Sequence, residues 1–172
     1  MKKTIKLISL AMLAIFCFSS VEVKAKNKSN TMDEKERMQF ADKYFASYFN
    51  AKTTEEAGKI FDEQVADDFV DYSPFFGNMP DKAGFRKTVI AVSAGFDEKY
   101  VVEKLVIEGD MHVAIWRSTA KHVGNFLGMP ASGKEFTITG ITVYKIVNGK
   151  IKAHWEQFDV VTMMKALGMM KE

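Results

Sequence analysis

The sequence holds one cysteine, Cys17, among 172 residues. It lies in an apolar run near the N-terminus, so once that run is removed disulfides, cysteine nucleophiles and thiolate metal sites are excluded together. Histidines number three, His112, His122 and His154, and no two stand at metal-ligand spacing. The reading therefore expects no metal. Charge of one sign is lacking too: 24 Lys and Arg face 22 Asp and Glu, a net of +2. No basic stripe or motif of a nucleic-acid binder is present, so nucleic acid is not an expected partner. Beyond residue 25 no apolar stretch approaches the length a transmembrane helix needs.

What is present begins with a processing signal. Lys2, Lys3 and Lys6 precede an apolar run from Leu7 to Phe18, and Val23-Lys24-Ala25 offers small residues for cleavage. Ile15 and Phe16 stand before Cys17 where a lipoprotein signal has small residues, which argues against lipidation. Residues 1–25 are thus predicted to be a signal peptide, 26–32 a flexible leader and 33–172 one domain. The product would be exported to the periplasm or medium with no stable membrane anchor after cleavage. The signal carries four lysines and one glutamate, so the net charge of +2 becomes about −1 without it.

Two capping-box patterns, Thr31-Met32-Asp33-Glu34 and Thr53-Thr54-Glu55-Glu56, predict helix starts. The first opens a helix marked by Met38, Ala41, Tyr44, Phe45, Tyr48 and Phe49, and Asp81 caps a third helix that ends at Gly95. A short strand is predicted over Asp67 to Tyr72, then an apolar loop from Pro74 to Pro80. From Lys99 the period changes to two: Tyr100 to Ile107, Met111 to Val123, Lys134 to Val147 and Lys150 to Phe158 read as strands. Turns fall at Gly109-Asp110 and Asn148-Gly149, and a last helix at Val161 to Leu167. The fold class implied is α+β, helices packed on a curved antiparallel sheet that encloses a cavity.

A two-residue turn at Asn148-Gly149 pairs Val147 with Lys150. Extending that register places Trp155 opposite Thr142, Gln157 opposite Gly140 and Asp159 opposite Ile138, on one face with Tyr144. His154 and Glu156 then fall on the other, charged face with Lys145 and Lys152. On this register Asp159 is a carboxylate in an apolar cavity, a setting that moves its pKa toward the range of a general acid or base. The same residue also stands where an aspartate would cap the last helix, and the two readings are compatible. His122 either orients a substrate, trades a proton with Asp159, or is structural, as a lone histidine more often is. Tyr72, Phe75, Trp116, Tyr144 and Trp155, with Thr142 and Gln157, are the candidate substrate-binding residues; each aromatic taken singly also fits a core role.

Several stretches, in order along the chain, resemble one family: Phe69-Val70-Asp71-Tyr72-Ser73-Pro74, Ile107-Glu108-Gly109-Asp110, Lys121-His122-Val123-Gly124, Met129-Pro130-Ala131-Ser132-Gly133-Lys134, Gly140-Ile141, Asn148-Gly149-Lys150-Ile151 and His154-Trp155-Glu156-Gln157-Phe158-Asp159. Together they resemble the SnoaL-like polyketide cyclase, or ester cyclase, family. The resemblance implies a nuclear-transport-factor-2-like cone, dimeric in most members. It also implies an intramolecular aldol condensation run without metal or cofactor by an aspartate of the last strand, for which the matching position is Asp159. The expected partner is a small hydrophobic carbonyl or ester substrate. The alternative is a non-catalytic exported binding protein holding an apolar small ligand in the same cavity.

Overall fold

Asn148 and Gly149 both take positive φ, 51° and 71°, so the turn between the last two strands is the left-handed kind that a right-twisted hairpin favours. The computed structural model describes residues 32–171, and the predicted signal peptide lies outside them. Four helices, α1 (Glu34–Ala41), α2 (Thr54–Gln64), α3 (Lys82–Gly95) and α4 (Val160–Ala166), accompany five strands, β1 (Val65–Asp71), β2 (Phe96–Glu108), β3 (Met111–His122), β4 (Glu135–Val147) and β5 (Lys150–Phe158). One sheet has the order β1-β5-β4-β3-β2. Four strands are antiparallel as expected; β1 departs from that by adding to β5 in parallel. Among the described residues no helix is long and apolar enough to cross a membrane.

The caps explain where the helices start. Thr53 Oγ1 accepts from the Glu56 amide at 3.1 Å, and Asp81 Oδ1 accepts from the Gly84 amide at 2.8 Å. The first box sits two residues later than its pattern suggested: Asp33 accepts from the Glu36 amide, and Glu36 accepts from the Asp33 amide in return. Aspartate serves as N-cap as well as threonine does, so two overlapping patterns competed. α1 continues as a π-helical turn over Asp42–Ala46, and Asn50 then ties it to the sheet by accepting from Tyr100 N and donating to Tyr100 O, both at 2.8 Å. The apolar stripes of the helices meet the concave sheet face around Phe45, Phe61, Phe85 and Val89, and Phe45 stacks on Tyr144 with centroids 4.1 Å apart.

One bulge decides which side chains of β5 enter the interior. Val147 faces Lys150 and Ile146 faces Ile151, but Lys145 faces Ala153, so Lys152 has no partner on β4. An unpaired residue shifts the register by one and inverts every later side chain. Tyr144 now faces His154, Thr142 faces Glu156 and Gly140 faces Phe158. The expectation that Trp155, Gln157 and Asp159 share the inner face with Tyr144 and Thr142 is therefore corrected: His154 and Glu156 take that place. Lys152 turns outward to an ion pair with Asp68 of β1, which gives the bulge a partner.

Candidate active site

The inner face after the bulge carries two carboxylates into one cavity. Glu98 comes from β2, Glu156 from β5, and both line an apolar cavity of about 70 Å³ walled by Phe75, Trp116, Phe126 and Phe158. A relay of hydrogen bonds runs across the sheet: the Trp116 indole N–H donates to Thr142 Oγ1 at 2.9 Å, and Thr142 donates to Glu156 Oε1 at 2.8 Å. Indole can only donate, so the first bond ends on Thr142 Oγ1, and the hydroxyl turns its own proton toward Glu156. Gly140 makes the relay possible, because a Cβ there would lie 2.3 Å from the Trp116 ring and 2.8 Å from Phe158 Cβ.

Burial raises the Glu156 pKa above the ordinary carboxylate value, while His154 and the Thr142 hydroxyl pull it back by favouring the charged form. Glu98 has less to offset its desolvation. Its single hydrogen-bond partner among the described residues is the Ser118 hydroxyl, Glu156 adds repulsion, and its pKa is pushed up to about 7. A raised carboxylate pKa means that the folded chain holds a proton the unfolded chain has released. Stability from Glu98 is thus present below the unfolded value and lost as pH rises from about 4.5 to about 7. Urea unfolding should show this fall, and Glu98→Gln should flatten it; an unchanged slope would remove Glu98 as its source.

Tyr100 lines the cavity and Tyr48 and Tyr144 are buried near it, each with its pKa raised well above the ordinary value by burial and further by neighbouring charge and phenols. Behind Glu156, His154 Nδ1 lies 3.2 Å from Asp71 Oδ1, both side chains 2% exposed. The Glu156 amide donates to Ser73 Oγ at 2.9 Å, which anchors β5 to the end of β1.

The remaining predicted site residues are dispersed. Phe75, Trp116 and Thr142 sit in or directly behind the cavity wall, and Tyr144 is buried on the inner face. Tyr72 and Trp155 stack on each other at 4.5 Å on the outer side, where Tyr72 is 58% exposed, and Gln157 is exposed beside them. His122 is buried away from the cavity lining, its Nδ1 within 3.1 Å of Ser132 Oγ and accepting from the Ser132 amide at 3.3 Å. Asp159 is exposed and lies past the end of β5 as the N-cap of α4, accepting from Thr162 N at 3.0 Å and Thr162 Oγ1 at 2.6 Å. These bonds lower its pKa, the opposite of the rise expected for a cavity carboxylate. A lowered pKa contributes stability that is present above the unfolded value and lost as pH falls through the folded one. Asp159→Asn should therefore lower the thermal midpoint slightly at neutral pH and less in acid, as differential scanning calorimetry would read.

Sequence reasoning missed both cavity carboxylates, and each left a trace. Phe96, Glu98, Tyr100 and Val102 alternate, so the strand period extends back past Lys99. Glu156 needed only the opposite parity on β5.

The comparisons with known proteins converge on this architecture. The family model for SnoaL-like polyketide cyclases matches residues 39–167, most of the chain and every strand described above. The chain belongs to the SnoaL-like polyketide cyclase family. Among curated relatives, aklanonic acid methyl ester cyclase DauD of Streptomyces sp. (strain C5) is 28% identical over 124 residues, 71% of this chain and 75% of that protein. Aklanonic acid methyl ester cyclase DnrD of Streptomyces peucetius is 28% identical over 124 residues, covering 83% of its own length. The solved structure of TsrD from Streptomyces laurentii superposes with a TM-score of 0.62 at 25% identity, covering 81% of this chain and 99% of TsrD. The SnoaL-like fold supplies the cone; in this member the carboxylate that β5 carries into it is Glu156.

Proposed function

We propose that this SnoaL-like protein is a cofactor-independent cyclase that closes a ring in a small hydrophobic carbonyl or ester substrate, with Glu156 as general base. The observation that carries the reading is the directed relay Trp116 to Thr142 to Glu156, which presents a desolvated acceptor oxygen to an apolar cavity. The carboxylate takes a proton from carbon, and the resulting carbanion attacks a second carbonyl of the same molecule. An apolar cavity favours this by holding a flexible chain folded, which converts positioning into rate. The aspartate role expected at Asp159 passes in this reading to Glu156, because Asp159 is committed to capping α4 outside the cavity.

The cavity is small for a drug-sized ligand, whose pockets span roughly 300–1,000 Å³. Phe75 and Phe126 wall it from two loops in which Phe76 and Leu127 hold positive φ, 45° and 50°. Turnover of a large ester requires these loops to open; a short diketone ester needs less movement. A second reading, a binding protein that holds an apolar ligand without turnover, draws on the same apolar lining.

Export belongs to the proposal on the strength of Lys2, Lys3, Lys6 and the apolar run that follows. Pairing of two copies does so through the outer sheet face, where Ile115 lies beside Ile141 and Val143 beside Trp155. The relatives named for aklanonic acid methyl ester supply the first substrate to try. Secreted protein, with its N-terminus sequenced and its mass in solution measured, should convert that ester or a short diketone ester to a product of identical mass. Binding without conversion would favour the binding-protein reading, and neither binding nor conversion would sink both.

A further inference from the structure

The cavity holds a second carboxyl group that the reading above leaves idle. Glu98 stands across from Glu156 on the same lining, and the two sense each other's charge. Their surroundings differ in one respect that matters for chemistry. Glu156 Oε1 accepts from the Thr142 hydroxyl, and His154 beside it favours the charged form. Among the described residues Glu98 Oε1 accepts from the Ser118 hydroxyl alone, and Oε2 is shielded from water without a hydrogen-bond partner. An unpaired carboxylate oxygen in that position is costly, whereas a carboxylic acid O–H there is a donor waiting for an acceptor. The groups that face it inside the cavity are Ser118 from β3, Glu156 from β5 and Tyr100 on its own strand, while Asp42, Lys52, Asp97 and Lys99 line the surface groove on its other side.

We propose that Glu98 is a second catalytic group of this cavity, a general acid that protonates the carbonyl oxygen of the electrophile while the Glu156 carboxylate removes the proton from carbon. The inference rests on the cyclase reading and adds a partner to its base. In the step, the C–H electron pair passes through the enolate to form the new C–C bond, and the C=O π pair takes the proton leaving Glu98 as its oxygen becomes a hydroxyl. Glu156 ends protonated and Glu98 ionised, so substrate and product are isomers and no oxidant or reductant enters.

Each carboxyl also lines its own surface groove. Glu98 shares one with Asp42, Asn50, Lys52 and Lys99, and Glu156 shares the other with Tyr72, Ser73 and Gln157. Water in the first returns a proton to Glu98, and water in the second removes one from Glu156. The two sides of the cone thus reset independently after each turnover. The division of labour follows a general pattern in which two like groups are given opposite roles by unlike environments.

The test has two arms on the full chain. Carboxyl-selective NMR of glutamate-labelled protein, assigned with Glu98→Gln and Glu156→Gln, should show Glu156 ionising before Glu98 as pH rises. The reverse order, or an ordinary titration of Glu98, overturns the assignment. In the second arm, aklanonic acid methyl ester in heavy water is followed for cyclisation and for exchange at the carbon acid. Glu98→Gln should lower the ratio of cyclisation to exchange by about 10²-fold, the lower range for a general acid; Glu156→Gln should lower both. Equal loss of both in Glu98→Gln, or no loss, overturns the proposal. If wild type leaves the ester untouched, the cyclase reading fails for that substrate, and the order of titration still decides which carboxyl holds the proton.

Discussion

Glu156→Gln is expected to lower kcat for ring closure by about 10²–10⁴-fold, the usual worth of a positioned general base, with KM nearly unchanged. Glutamine keeps the shape of the side chain, and its amide oxygen can still accept from Thr142 Oγ1, so the relay from Trp116 survives. What disappears is the carboxylate that accepts a proton from carbon. The cavity remains as apolar as before, and a substrate held by Phe75, Trp116 and Phe158 should still bind. Far-ultraviolet circular dichroism and the thermal midpoint of the variant should match wild type, since an uncharged amide in a desolvated site costs no more than the carboxylate it replaces. Steady-state kinetics on any substrate found for the wild type reads the result. A kcat within a few-fold of wild type would remove Glu156 as the base, whereas a large rise in KM alone would make it a binding residue. Asp159→Asn is the matched comparison: that carboxylate lies outside the cavity lining and caps α4.

The order and bounds of most elements were readable because their causes are local. Caps at Thr53 and Asp81, a period of two through β2 to β5, and the Asn148-Gly149 turn each act within a few residues. The site was less legible because its parity depends on one non-local event. Nothing in Ile151-Lys152-Ala153 taken alone marks a bulge; Lys152 is displaced from the ladder where β5 must accept β1 on its other edge, and the β1 pairing itself slips between Val65 and Val70. Extrapolating a perfect hairpin past that point turned Glu156 outward and Asp159 inward. The same error gave the outer face its apparent charge, although Val143 and Ile141 there adjoin Trp155 and Gln157. Tyr72 was legible as an aromatic of the β1 end but not as the outer partner of Trp155, because stacking across parallel strands needs the register of both. The resemblance to the family survived these slips, since it depends on ordered residues and not on which way they point.

Asp71→Ala should destabilise the fold by about 1–3 kcal/mol, the range for leaving a buried polar group without its partner. His154 Nδ1 lies 3.2 Å from Asp71 Oδ1 with almost no access to water, and the imidazole is stacked against Phe85 at 4.4 Å. Deleting the carboxylate leaves a polar ring in an aromatic cage with its partner gone. A second bond goes with it, because Asp71 Oδ1 also accepts from the Ser73 amide at 2.8 Å, and Ser73 Oγ in turn holds the Glu156 amide. The end of β1 thereby loosens next to the base, so a fall in kcat should accompany the loss of stability. Urea unfolding measures the first effect as a lower midpoint at unchanged m-value. A change under about 1 kcal/mol, the scale of an exposed pair, would show that the cage does not depend on the carboxylate. Combining Asp71→Leu with His154→Phe separates pairing from packing: apolar replacement of both partners should recover much of the stability lost in Asp71→Ala. It should not recover the kcat, since leucine has no acceptor for the Ser73 amide that positions the strand beneath Glu156.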